Sequence, residues 1–212
     1  SLLHDDVIDG AYLRRNAPAS WVERGVSGAI LLGDLLFFKA LEVIGGVAQG
    51  RLTSPLIRSC GEICEAESEQ ELILRGKPVD WRQCVSTARR KTGPLFAFMG
   101  YVAGGEDPAL RSALQESGYE IGAAYQLADD ILDVRGSEAS AGKTLGCDQA
   151  RSKSTAATIF PQHNIDPAAF IDDLCASSSR RLAPWPLARQ AWDLYLAQDI
   201  RPAMAQHLAP TT

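Results

Sequence analysis

Gln126-Leu127-Ala128-Asp129-Asp130-Ile131-Leu132-Asp133 stands near the end of a long helical pattern that opens at Asp107-Pro108 and runs to about Val134. At helical spacing Gln126, Asp129, Asp130 and Asp133 fall on one face, because residues three and four apart stack above one another. Leu127, Ile131 and Leu132 supply apolar surface elsewhere on the same helix, and the small residues Gly122, Ala123 and Ala124 leave room for a ligand or a close neighbour. A helix whose apolar residues spread beyond a narrow stripe is largely buried. A segment that is both buried and rich in carboxylate points to an all-α bundle.

The rest of the chain fits that expectation. Val26 to Ile44 places Ile30, Leu31, Leu35, Phe38 and Leu41 at helical spacing, and Gly45-Gly46 offers a stop. Ser54 to Leu74 predicts a helix with Ser54 as N-cap and Pro55 at the first position. Asp80 is placed to cap a helix starting at Trp81, which Gly93-Pro94 is expected to kink or break, since proline cannot donate to the carbonyl four residues back. Gly136 to Ala150 is rich in glycine and serine and predicts a mobile loop; Asp166-Pro167 and Pro184 to Pro186 open two further helices. No alternating strand, repeat or linker is evident, so residues 1–212 are expected to form a single all-α domain. Ser1 falls inside a helix already under way, and N-terminal helices are expected to precede it.

The 212 residues suit one sizeable core, and 46% hydrophobic with 22% charged residues describes a folded chain. A net charge of −5 argues against nucleic acid as a partner. No run approaches the roughly 18–20 apolar residues of a transmembrane segment. Cys60, Cys64, Cys84, Cys147 and Cys175 form no zinc pattern, so they are expected to be small buried hydrophobes in a reducing cytoplasm.

A second carboxylate cluster stands at the start. In Leu2-Leu3-His4-Asp5-Asp6-Val7-Ile8-Asp9, the side chains of Asp5, Asp6 and Asp9 share a helical face. Crowded carboxylates on a partly apolar face repel one another and resist desolvation. Mg²⁺ relieves both costs and takes phosphate oxygen beside carboxylate. Two such clusters suit a diphosphate that must leave, since bound metal offsets the negative charge growing on it. Arg14 and Arg15 follow the first cluster and can fork onto phosphate oxygens. Lys91 and Thr92 precede the Gly93-Pro94 step, from which their side chains could leave the helix for a cavity. Gly142-Lys143-Thr144 is not a P-loop, because Ser137 stands where the first glycine is needed and no strand precedes it. A loop carrying Lys143 and Lys153 could still close over phosphate. His4 could orient the neighbouring Asp5, whereas Phe96, Phe98 and Met99 are expected in the core.

These stretches together resemble the trans-type (E-type) isoprenyl diphosphate synthases, or polyprenyl synthetases. Leu2 to Asp9 with Leu13-Arg14-Arg15 is similar to the family's first Asp-rich motif. Ile30 to Asp34 resembles its next helix, Lys91-Thr92 its Lys-Thr pair, Gln126 to Asp133 its second Asp-rich motif, and Gly142-Lys143 with Lys153-Ser154-Thr155 the loop that follows. The resemblance implies the isoprenoid synthase helical bundle with a central cavity, as a homodimer. It also implies condensation of an allylic prenyl diphosphate with isopentenyl diphosphate to a longer trans-polyprenyl diphosphate. Asp5, Asp6, Asp9, Asp129, Asp130 and Asp133 would bind Mg²⁺. Arg14, Lys91, Gln126, Lys143 and Lys153 would hold the allylic diphosphate, Thr92 would line the reacting carbon, and Arg15 would contact isopentenyl diphosphate. On this basis Asp5, Asp6, Lys91, Thr92, Gln126 and Asp129 make up the catalytic set.

Asn16 and Ala19 depart from the family's usual Gly and Thr, and the family's upstream Gly-Lys and Arg segment is absent. Two further readings stand beside the leading one. A class I terpene cyclase would carry an Asn/Ser/Glu metal motif where Asp129 to Asp133 stand, and a non-catalytic subunit of a heteromeric synthase has no need of both carboxylate clusters. The uninterrupted Asp-Asp-x-x-Asp spacing leans toward medium- and long-chain synthases.

Overall fold

The computed structural model describes residues 1–136 and 141–208. α1 (Leu2–Asp9) leads into a two-residue ladder of β1 (Leu13–Arg14) and β2 (Ala17–Pro18). The helices α2 (Ser20–Gly46), α3 (Thr53–Ser68), α4 (Trp81–Ala103) and α5 (Pro108–Arg135) follow. The short helices α6 (Cys147–Ala150) and α7 (Ala156–Ile159) come next, then α8 (Pro167–Arg181), α9 (Pro186–Tyr195) and α10 (Arg201–Leu208). The all-α architecture is as expected, with one correction: the strand pair. Arg15 and Asn16 both take positive φ, 53° and 60°, as the central residues of a primed two-residue turn require, and that turn sets Leu13 opposite Pro18.

The caps follow local chemistry. The Asp80 carboxylate accepts from Gln83 N–H, Asp107 from Ala109 and Leu110, and Asp166 from Ala168, each pairing with an N–H that the first helical turn leaves over. Ser54 is not a cap. α3 begins one residue earlier, at Thr53, with Leu52 in the capping position and no side-chain bond. α2 contains a break at Gly25, whose φ of 73° and ψ of 164° separate one turn from the main helix starting at Val26.

Gly93-Pro94 does not break α4, which continues to Ala103. Packing accounts for this. Gly93 and Pro94 are both buried where α4 crosses α5, and a Cβ on Gly122 of α5 would lie 2.3 Å from the Gly93 Cα. Gly100 and Gly118 continue the crossing, each in near-contact with backbone of the opposing helix. So close an approach buries enough surface to outweigh the hydrogen bond that Pro94 cannot make. α4 and α5 form the most extensive contact of the fold. Around them the core gathers Cys84 and Ala88, Ile121, Leu127 and Ile131, Phe160, Ile171 and Cys175, and finally Leu196, Ile200 and Met204.

All five cysteines are free thiols, but only Cys84 and Cys175 are buried; Cys60 and Cys147 are half-buried and Cys64 is exposed. Residues 137–140 of the expected mobile loop lie outside the described residues. Its remainder makes turns and then α6. Among the described residues no helix is long and apolar enough to cross a membrane.

Candidate functional site

α1 ends on Gly10, left-handed at φ 69°, which turns the chain directly into the hairpin and brings Arg14 back against the helix. Arg14 Nε donates to Asp6 Oδ1 at 2.6 Å, and Asp6 is 2% exposed. Asp5 is more open. Its carboxyl pKa is raised, chiefly by burial; the N-terminal amino group works against this, while Glu67 and Asp9 add to it. Asp9 accepts a hydrogen bond of 2.7 Å from Lys153 Nζ.

On α5, Asp129 accepts from Lys143 Nζ at 2.5 Å. Thr92 Oγ1 donates to Gln126 Oε1 at 2.6 Å, and Gln126 Nε2 donates to Asp130 Oδ1 at 2.9 Å. The other oxygen of Asp130 takes the Ala156 N–H at 3.2 Å. Burial, followed by the nearby Asp148 carboxylate, drives the Asp130 pKa well above the ordinary carboxylate range, against the pull of Gln126 and Lys91. Asp133 is bonded to the loop that follows α5. Its oxygens accept the Gly146 and Asp148 N–H groups at 3.1 and 3.2 Å, so this carboxylate anchors the loop ahead of α6.

That loop is also tied to the hairpin. Thr144 Oγ1 accepts the N–H groups of Tyr12 and Leu13, both at 2.8 Å, and Asn16 N–H donates to the Gly142 carbonyl at 2.8 Å. Lys143 therefore reaches Asp129 from a segment fastened to the first motif's own hairpin.

Lys91 remains within the continuous α4, and its Nζ donates to Gln70 Oε1 at 2.8 Å and pairs with Glu67 at 3.0 Å. Burial alone would lower its pKa. Glu67, with Asp130 and Asp148 behind it, outweighs that and leaves the pKa above the ordinary lysine value. Lys153 is 7% exposed and sits 2.7 Å from Asp9, 3.7 Å from Asp148 and 3.8 Å from Glu71. A small pocket beside it is lined by Gln70, Leu74, Cys84 and Thr87.

The structure thus joins Asp6 to Arg14, Asp9 to Lys153, Asp129 to Lys143, and Thr92 through Gln126 to Asp130. Arg15 is set apart at the turn tip, exposed and without a hydrogen bond or ion pair among the described residues. His4 does not orient Asp5: its Nε2 lies 3.0 Å from the Ile30 carbonyl and 3.3 Å from Asp34. Phe96 packs on Tyr125 as a core residue would, but Met99 is 52% exposed. Glu67, Gln70, Glu71 and Asp148 escaped the sequence reading. The alternation Glu65, Glu67, Glu69, Glu71 inside a helix was the signal available for Glu67 and Glu71; nothing in it marks Gln70.

Among the described residues no three His, Cys, Asp or Glu side chains gather closely enough to hold a metal by themselves. The donor set fits Mg²⁺ in its usual protein setting, where one or two carboxylates share the ion with substrate phosphate and water. Carboxylates already raised in pKa by burial gain from an added cation.

A family model described as polyprenyl synthetase matches residues 1–181. A geranylgeranyl diphosphate synthase of Mycobacterium tuberculosis is 34% identical over 178 residues, 80% of this chain and 50% of its own length. Component 2 of a heptaprenyl diphosphate synthase of Bacillus subtilis is 33% identical over 77% of this chain and 48% of its own. The chain spans about half the length of such curated relatives. Among solved structures, a polyprenyl synthase from Caulobacter crescentus, complexed with calcium and isoprenyl diphosphate, superposes with a TM-score of 0.69. It shares 28% identity over 97% of this chain and 72% of that one.

Proposed function

The chain belongs to the polyprenyl synthetase family, and from that premise we propose that it binds an allylic prenyl diphosphate with Mg²⁺ and extends it with isopentenyl diphosphate. The observation that carries this is the set of cross-pairings in which Arg14, Lys143 and Lys153 each neutralise a carboxylate of one of the two Asp-rich helices. Three cations and as many carboxylates, each pair within hydrogen-bonding reach, form a cluster in which a polyanion and a divalent cation can replace the internal pairs together.

Asp5, Asp6, Asp9, Asp129 and Asp130 are the proposed metal carboxylates, with Asp133 contributing through the loop that it anchors. The metal supplies charge neutralisation of the departing diphosphate. Lys91, Lys143, Lys153 and Arg14 donate to the diphosphate oxygens, and these bonds strengthen as the allylic C–O bond breaks and the electron pair leaves with the diphosphate. Thr92 and Gln126, linked at 2.6 Å, face the allylic carbon with neutral dipoles that tolerate cationic character there. The isopentenyl double bond then attacks that carbon, and the released pyrophosphate takes the proton that restores the alkene. Arg15, exposed in the turn, is the proposed contact to isopentenyl diphosphate. The protein is proposed to act in the cytoplasm as a homodimer.

Incubation with isopentenyl diphosphate, an allylic primer and Mg²⁺ should give a longer prenyl diphosphate. Absence of any extended product would falsify elongation by this chain acting alone. A second reading is favoured by the Bacillus subtilis relative named as a component: this chain would be one member of a two-chain synthase. In that case product forms only after a partner chain is added.

A further inference from the structure

Beyond Ser68 the α3 helix continues as a π turn from Glu69 to Leu74. Such widened turns cost hydrogen-bond geometry and occur mostly where a site needs them. Here three successive side chains each meet a different cation. Glu69 accepts from Arg90 Nη1 at 2.5 Å and Gln70 from Lys91 at 2.8 Å, while Glu71 lies against Arg75, Arg151 and Lys153. One turn earlier Glu67 adds its contact to Lys91 at 3.0 Å.

Two of these partners, Lys91 and Lys153, are the most deeply buried cations of the site, with side chains 13% and 2% exposed. A lysine ammonium rides on a flexible four-carbon stem, so fixed acceptors are what define its position. Lys91 has three N–H donors; Gln70 and Glu67 occupy two, leaving one to meet a phosphate oxygen. Gln70 is the informative member. It carries no charge, so its bond adds direction to the ammonium and almost nothing to charge balance.

We propose that the π turn, together with Glu67 one turn before it, is a positioning element: Glu67 and Gln70 hold the Lys91 ammonium, and Glu71 flanks that of Lys153, where an incoming diphosphate meets them. The proposal rests on the prenyl diphosphate reading above. None of the three residues belongs to an Asp-rich motif, and none is assigned contact with substrate. The fixed geometry lowers the ordering cost of binding, which is where preorganisation acts.

The test titrates inorganic pyrophosphate with Mg²⁺ into the full chain by calorimetry, comparing the parent with Gln70→Met, Gln70→Glu and Glu71→Gln, and records each melting temperature. Gln70→Met keeps length and volume but removes the acceptor. It should weaken pyrophosphate binding about ten-fold at an unchanged melting temperature, the scale of one charge-assisted hydrogen bond. Gln70→Glu, which restores an acceptor, should return to within about three-fold of the parent, and Glu71→Gln should weaken binding by a smaller factor. Parent-like binding by Gln70→Met overturns the positioning role and leaves the function intact. A Gln70→Glu variant as weak as Gln70→Met also overturns it. If the parent itself binds no pyrophosphate, the functional reading falls and the positioning role falls with it.

Discussion

Asp130 shows how one residue couples stability to ligand. It is 8% exposed, and its pKa lies above the ordinary 3.8, raised by burial and then by Asp148, whose own pKa is also raised. Below 3.8 both folded and unfolded chains hold the proton, so Asp130 adds nothing. As the pH rises from there the unfolded chain ionises first, and the metal-free native state loses relative stability until Asp130 itself ionises. Asp130→Asn should therefore melt higher than the parent at about pH 8 without divalent metal, by about 3 °C or more, and the gap should close toward about pH 4. The asparagine is accommodated because Gln126 can flip, accepting from Asn Nδ2 and donating to Thr92 Oγ1. Thermal scans across pH check this; a variant less stable at the high end means that Asp130 is held by partners strong enough to offset its burial.

The α4–α5 crossing is decided by helices rather than by single contacts. Adding a Cβ at Gly122 brings it 2.3 Å from Gly93 Cα and 2.8 Å from the Thr92 carbonyl carbon, all backbone, so the helices must part. Gly122→Ala should lose about 1–3 kcal/mol, the usual cost of overpacking, and should also disturb Thr92 to Gln126, which spans the same crossing. Gly61 is the contrasting case. It is exposed in α3 with nothing within 4 Å of a would-be Cβ, so Gly61→Ala should gain about 0.5–1 kcal/mol from reduced backbone freedom in the unfolded chain. Urea titrations of the two variants should shift in opposite directions. The same crossing explains why Pro94 misleads a reader of the sequence. Proline's local cost is legible, but the packing that offsets it belongs to a helix about 30 residues further along.

For the molecule as a whole, the notable surface is α2. Leu31, Leu35 and Phe38 are 69%, 54% and 67% exposed, and their i, i+4, i+7 spacing makes one apolar stripe. Contiguous apolar surface of this kind marks an interaction site, and the homodimer proposed above is the occupant it is assigned. Sedimentation velocity should find a dimer for the parent and a monomer for the double variant Leu31→Glu, Phe38→Glu, with helix content unchanged by circular dichroism. A monomeric parent at tens of micromolar would remove the homodimer from the proposed function. Periodicity already showed this helix to be apolar; its exposure depends on what packs beside it.

Much of the protein could be read from residues alone, for a local reason. Helix periodicity, the Asp80, Asp107 and Asp166 caps and the shared face of each Asp cluster depend on residues within a turn or two, where spacing determines geometry. The thirteen candidate residues divide along the same line. Asp6 and Arg14 were legible as neighbours in the chain, but their pairing depends on the hairpin, which the sequence did not show. Asp9 with Lys153, 144 residues apart, and Lys91 with Gln70, 21 apart, were not, because no local rule says which side chain a distant lysine will meet. Tertiary structure also turned Asp133 to the loop, left Arg15 outside the network and brought the π turn to two of the site's cations. The sequence by itself therefore determined that an all-α chain carries two carboxylate clusters and the basic residues to oppose them. Only the packing of α3, α4 and α5 and the tethered loop decided which cation faces which carboxylate, since that pairing is fixed by the distances between helices and not by the order of residues along them.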